Sequence, residues 1–185
     1  ALTTVVSASG LAAGFDVKTG KRLWQVDGLK GNTVASPSVF GDLALVGSSE
    51  KASQLVVRLD PEVAAEKRVA WRSDGPTSSF GSPLVYKDLA YTVSREGVAV
   101  CLDAKTGNAH WDTRLPASCW ASPVGGAGRV YFFTRDGVCV VAKAGTEFEE
   151  LARNKLPIAG KVYGVAAVEG AFVVRTDSAL ARIGK

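Results

Sequence analysis

Methionine is missing from the 185 residues, histidine occurs once, and the three cysteines (Cys101, Cys119, Cys139) lie far apart. Each shortage removes a class of chemistry. Nucleophilic catalysis needs a base beside the nucleophile. The one histidine, His110, adjoins Trp111; on a strand the two face opposite ways, which suits a solvated or structural residue. These few ligands cannot build a zinc site of ordinary type. An odd number of thiols cannot form a complete disulfide set, so buried free thiols are expected. No apolar run approaches the ~18 residues of a membrane-spanning helix. With no methionine, Ala1 does not read as a natural translation start, and the expectation is a chain processed or cut from something larger.

Runs of like charge are equally scarce. The net charge is +4, but lysines and arginines are interleaved with acids throughout, and nucleic-acid binding ordinarily needs a clustered patch. Helical periodicity is absent too; the one candidate, PEVAAEKRVAW (61–71), reads better as an expanded turn. GGAG (125–128) lacks the helix that a phosphate loop requires and reads as a tight turn. Hydrophobic residues at 46% and charged residues at 22% give an ordinary globular balance.

What the chain has is repetition. DVKTGKRLW begins at Asp16 and DAKTGNAHW at Asp103. Ser-Pro pairs start at 36, 82 and 122, and tryptophans fall at 24, 71 and 111, so both anchors recur at intervals of 40 to 47 residues. A further 40 residues lead to Leu151 as a degenerate replacement for the tryptophan. Within one unit the pattern predicts four short strands: 84–86, 89–94, 98–103 and 108–113. Period-two alternation, β-branched and aromatic residues and Gly or Asp turns all favour antiparallel hairpins. Four strands every 40 or so residues is the signature of a β-propeller blade. Proline, which has no N–H for a ladder, belongs on an edge strand. The Ser-Pro strand then lines the axis, and the tryptophan strand forms the rim.

The expected architecture is therefore all-β. Blade units span approximately 1–33, 34–79, 80–119, 120–161 and 162–185, with 18 strands in all, or about four and a half four-stranded antiparallel blades. This is a partial propeller, expected to be the C-terminal half of a larger one. Its open sheet edges lead to an expectation of self-association.

The recurring words resemble the tryptophan-docking motif of the PQQ-like (quinoprotein alcohol dehydrogenase-like) propeller repeats, Ala-x-Asp-x-x-Thr-Gly-x-x-x-Trp. One copy carries Asp16, Thr19, Gly20 and Trp24, and another Asp103, Thr106, Gly107 and Trp111, with Trp71 the third rim tryptophan; Gly14 and Cys101 replace the alanine. The resemblance implies that these residues fasten adjacent blades, each buried aromatic contributing roughly a few kcal/mol. It also implies a location outside the bacterial cytoplasm. The catalytic branch of the family holds pyrroloquinoline quinone with calcium, using adjacent cysteines, a stacking Trp and a carboxylate base. This chain has no Cys-Cys pair, and Trp120 occupies the repeat position of Val34 and Phe80, as a core or channel residue does. Closer in character is the non-catalytic branch, which includes the propeller lipoprotein of bacterial outer-membrane assembly. The expectation is a non-enzymatic scaffolding or protein-interaction module with a protein partner and no bound cofactor. The alternatives are a fragment of a quinone-dependent dehydrogenase and a ligand-sensing domain of a signalling protein.

In a four-strand meander, the links between strands two and three share a face with the links between blades. That face gathers Arg95, Arg135 and Arg175, at steps of 40, with the entries Phe80, Ser82, Trp120 and Ser122. Two readings stay open: solvated turns beside core anchors, or a recognition surface, since Arg and Trp are favoured at interaction hot spots.

Overall fold

Short alternating segments separated by Gly and Asp turns pair with their immediate neighbours, because a local hairpin costs less chain entropy than a distant pairing. The computed structural model describes residues 2–8, 10–50 and 53–184, and in them every sheet is a meander in sequence order. The first sheet holds β1 (Thr3–Ala8), β2 (Leu11–Asp16) and β3 (Arg22–Asp27). The second holds β4 (Ser38–Phe40), β5 (Leu43–Val46), β6 (Gln54–Arg58) and β7 (Val69–Ser73). The third is β8 (Leu84–Tyr86), β9 (Leu89–Val93), β10 (Val98–Asp103) and β11 (Ala109–Arg114). The fourth comprises β12 (Val124–Gly126), β13 (Arg129–Phe133), β14 (Val138–Lys143) and β15 (Glu150–Lys155), and the fifth β16 (Val162–Val168), β17 (Ala171–Thr176) and β18 (Leu180–Gly184). The chain is thus an all-β partial propeller: three full blades flanked by two three-stranded sheets.

The core is divided between neighbouring sheets. One cluster joins Ala12, Trp24 and Val26 to Val46, Leu55 and Val57, and the next joins Leu45, Val56 and Trp71 to Ala90, Val100 and Leu102. A third sets Tyr91, Val93 and Cys101 against Val130, Phe132 and Val140, and a fourth sets Phe133, Cys139 and Val141 against Val162 and Val174. The inner strands β4, β8, β12 and β16 touch in turn. Backbone N–H groups stitch them: Ser36 N–H donates to Ser82 Oγ at 2.9 Å, and Ser82 N–H to Ser122 Oγ at 2.8 Å. Blades come so close here that a Cβ on Gly81 would lie 2.8 Å from the Ala121 carbonyl oxygen.

Turn chemistry explains the repeated Asp-x-x-Thr-Gly. Asp16 Oδ1 accepts from the N–H of Lys18 (3.1 Å) and of Thr19 (2.8 Å) and from the Thr19 hydroxyl (2.8 Å). Asp103 does the same with Lys105 and Thr106 at 3.0, 2.7 and 2.9 Å. Gly20 and Gly107 close these turns at φ +70° and +78°, in the left-handed region that favours glycine. These hydrogen bonds hold both carboxyls below the ordinary carboxylate range, those from Thr19 and Thr106 most strongly.

One rim tryptophan lies on such a turn in the next sheet, and a second on the turn that follows β14. Trp71 Nε1–H donates to the Ala104 carbonyl at 3.0 Å, and its ring covers Gly107 so closely that a Cβ there would meet Cδ2 at 2.6 Å. Trp111 Nε1–H donates to the Gly145 carbonyl at 3.0 Å and packs edge-on against Phe148. Trp24 meets a different partner. The segment between β6 and β7 contains a short 3-10 turn (Ala65–Lys67), so the stretch read as an expanded turn is one. Arg68, 3% exposed, turns back into it. Its guanidinium donates to the carbonyls of Arg58, Asp60, Pro61 and Val63 and stacks 5.4 Å above Trp24. Burial lowers its pKa, and Asp60 partly opposes that.

One expectation at the rim is corrected. In the first four sheets the outer pairing contains a bulge, after which Gly14, Val56 and Cys101 of the first three face Trp24, Trp71 and Trp111. In the fourth sheet the same register sets Val141 opposite Ala152. Leu151 falls in the bulge, 43% exposed, and does not replace the tryptophan.

Between the second and third sheets the repeat carries unusual polar residues. Gln54 occupies the register position held elsewhere by Ala12, Ala99 and Cys139, and Thr92 that of Val46 and Phe132. Both are at most 1% exposed, and Gln54 Nε2 and Thr92 Oγ1 lack hydrogen-bond partners among the described residues. A buried, unpaired hydroxyl costs more than the nearly isosteric methyl. Thr92→Val is therefore expected to raise the unfolding free energy by about 1 kcal/mol, seen as a higher urea midpoint at unchanged slope; a lower midpoint would show that the hydroxyl is solvated.

Candidate interaction site

The links between second and third strands carry the arginines, and backbone bonds fix them between blade entries. Arg135 N–H donates to the Ser118 carbonyl at 2.7 Å, and the Arg135 carbonyl accepts from Val162 N–H at 2.9 Å. Arg135 is thereby held between the entry to β12, which bears Trp120, and the entry to β16, which bears Tyr163. The Cys119–Thr134 bridge reinforces the first of these attachments.

An aromatic row results. Phe80 and Trp120 have ring centroids 4.9 Å apart, and Trp120 and Tyr163 meet edge-on at 5.2 Å. All three rings are half-buried. The Arg135 guanidinium stacks 3.9 Å from the Trp120 centroid and 5.9 Å from Tyr163, while Arg175, exposed, lies 5.7 Å from Tyr163. Cation–π stacking of this kind contributes about 0.5–1 kcal/mol when exposed and about 2 when desolvated. Arg135 Nε is covered and lacks a hydrogen-bond partner among the described residues.

The structure thus brings Phe80, Trp120, Arg135 and Arg175 together. It does not add Arg95, whose side chain turns to Glu96 at 2.7 Å, nor the hydroxyls of Ser82 and Ser122, which accept the inter-blade bonds. Tyr163 escaped the sequence reading because the period breaks: 40 residues beyond Trp120 lies Gly160. Acidic neighbours are engaged locally, Asp136 with the Thr134 hydroxyl and Asp177 with Lys161 N–H.

The three thiols of the chain are buried. Burial pushes each of the Cys101, Cys119 and Cys139 thiols up to about 12, and all three are free. Thiolate is the reactive form, so a thiol reagent at mildly alkaline pH is expected to label none in the folded protein and all three after unfolding; prompt labelling of the folded chain would contradict the burial. Among the described residues no three of His, Cys, Asp and Glu converge to hold a metal. An apolar cleft of about 530 Å³, lined in part by Gly126, Ala127, Phe172 and Ile183, opens at the other ends of the strands.

Four-stranded meanders around an axis, a rim tryptophan on an Asp-Thr-Gly turn of the next blade and an aromatic inner row together define a PQQ-like propeller arc. A family model described as outer membrane protein assembly factor BamB matches residues 9–147, and the chain belongs to that family. Among solved structures it is similar to BamB from Moraxella catarrhalis, with a TM-score of 0.79 at 13% identity over 98% of this chain and 55% of the other. It is also similar to the computationally designed Ika8 protein, with a TM-score of 0.77 at 11% identity over 98% of this chain and 57% of that one. The chain spans little more than half the length of these structures. No curated protein matches it significantly.

Proposed function

We propose that the chain is a non-enzymatic interaction module of the cell envelope, and that its axial face docks a protein partner. The observation that carries this reading is the half-buried row Phe80, Trp120 and Tyr163 with Arg135 stacked on it. Surface aromatics and arginine in one rigid cluster are what interaction hot spots are made of. Membership of a family described as an assembly factor supports it. The extracytoplasmic location belongs to the same proposal, as does self-association through β1 and β18, each paired on one side only.

The test compares the chain with Trp120→Ala as bait in an envelope extract. A specific protein held by the first and lost by the second is expected, while Trp120→Ala keeps a near-normal urea midpoint. Retention of the same proteins by both would sink the axial-face reading.

A further inference from the structure

We propose that the axial face recognises an acidic peptide segment, one carboxylate set against Arg135 and a second against Arg175. This rests on the axial face being the docking surface, and supplies the chemistry of what docks. Among the described residues, Arg95, Lys105, Lys143 and Arg153 each have a carboxylate within 4 Å, whereas Arg135 and Arg175 have none. Arg135 is the more telling of the two, because it is half-buried with Nε covered and unpaired. A cation that has lost hydration on one side and has no counter-ion is left in debt to an anion. Stacking on Trp120 occupies the flat face of the guanidinium, and the N–H groups in its plane are the ones that grip a carboxylate two at a time.

Arg175 shares Tyr163 with Arg135, so the two cations stand on adjoining parts of one aromatic shelf. That spacing suits carboxylates separated along an extended peptide, with apolar atoms of the chain resting on Phe80, Trp120 and Tyr163. The neighbouring charges decide the class of partner. Glu96, Asp136 and Asp177 lie beside the three arginines in sequence, so the positive potential comes as separate spots. A nucleic-acid backbone, with its continuous charge, would be repelled at the acids; a peptide need place carboxylates only at the spots.

The experiment is a fluorescence-anisotropy titration of a labelled, unstructured peptide of alternating Asp and Ser into the intact chain. The same peptide with Asn for Asp, a single-stranded DNA and anionic phospholipid vesicles serve as competitors. Expected is saturable binding that the Asn peptide, DNA and vesicles fail to displace. Arg135→Ala should weaken it about tenfold and Arg175→Ala about threefold, as charge-assisted pairs of unequal burial would. Arg95→Ala should leave it unchanged. Arg135→Lys keeps the charge without the planar fork, and an intermediate loss is expected of it; this variant serves if Arg135→Ala melts early. Equal binding by the Arg135 and Arg175 variants, or displacement by the Asn peptide, DNA or vesicles, overturns the proposal. Should the acidic peptide fail while Trp120→Ala still abolishes capture of an envelope protein, the acidic chemistry falls and the axial face stands.

Discussion

Replacing Trp71 by alanine lowers the unfolding free energy by about 3–5 kcal/mol. The ring is 8% exposed and lies between the second and third sheets. Its removal takes away the apolar contact with Gly107 and leaves the Ala104 carbonyl without its indole donor. Collapse cannot fill the space, because Gly107 is held at φ +78° by the Asp103–Thr106 hydrogen bonds. A urea titration followed by circular dichroism measures the loss, and a decrease below about 1 kcal/mol would mean that the turn moves in to replace the ring. The reciprocal change, Gly107→Ala, acts from the other side: the new Cβ strikes the indole and the left-handed backbone is strained.

Arg68→Ala is expected to cost about 2–4 kcal/mol, through lost charge-assisted bonds to four carbonyls and the uncovering of Trp24. The four acceptors, on Arg58, Asp60, Pro61 and Val63, shape the whole segment leading into β7. Some of them regain water once the guanidinium is gone, which is why the loss stays below a sum of four bonds. Arg68→Lys separates charge from geometry. A lysine keeps the positive charge but has one short head where the guanidinium has a fork, so it should recover less than half of the stability. Full recovery by lysine would show that charge near Asp60, and not the stapling of the turn, is what matters. Limited proteolysis between residues 60 and 68 gives an independent readout, with faster cleavage expected in both variants.

The sequence revealed what is local. Asp16 and Asp103 make their turns with residues two and three positions on, so the turn is written within one word. Ser36, Ser82 and Ser122 repeat because every blade entry needs the same edge. Contacts that depend on register were harder to read. A period counts residues, whereas a bulge shifts partners by one, and so Leu151 stood in for Ala152. Tyr163 was hidden by three extra residues before the fifth sheet. Arg68 looked like any charged residue in a polar loop until the fold closed around it. Arg95 and Arg135 share a place in the repeat, yet one bends to Glu96 and the other onto Trp120; that difference lies in the rotamer, which no period encodes.

Because each core cluster lies between two consecutive sheets, the arc behaves as a row of nearest-neighbour couplings. A substitution in one interface is felt by the two sheets that share it and little beyond. Trp24 with its arginine cover, and Trp120 with its stacked arginine, are then independent variables. Selection can rewrite the axial surface of the later blades while the first interface keeps its own solution, so one scaffold can change partners without being refolded from the start.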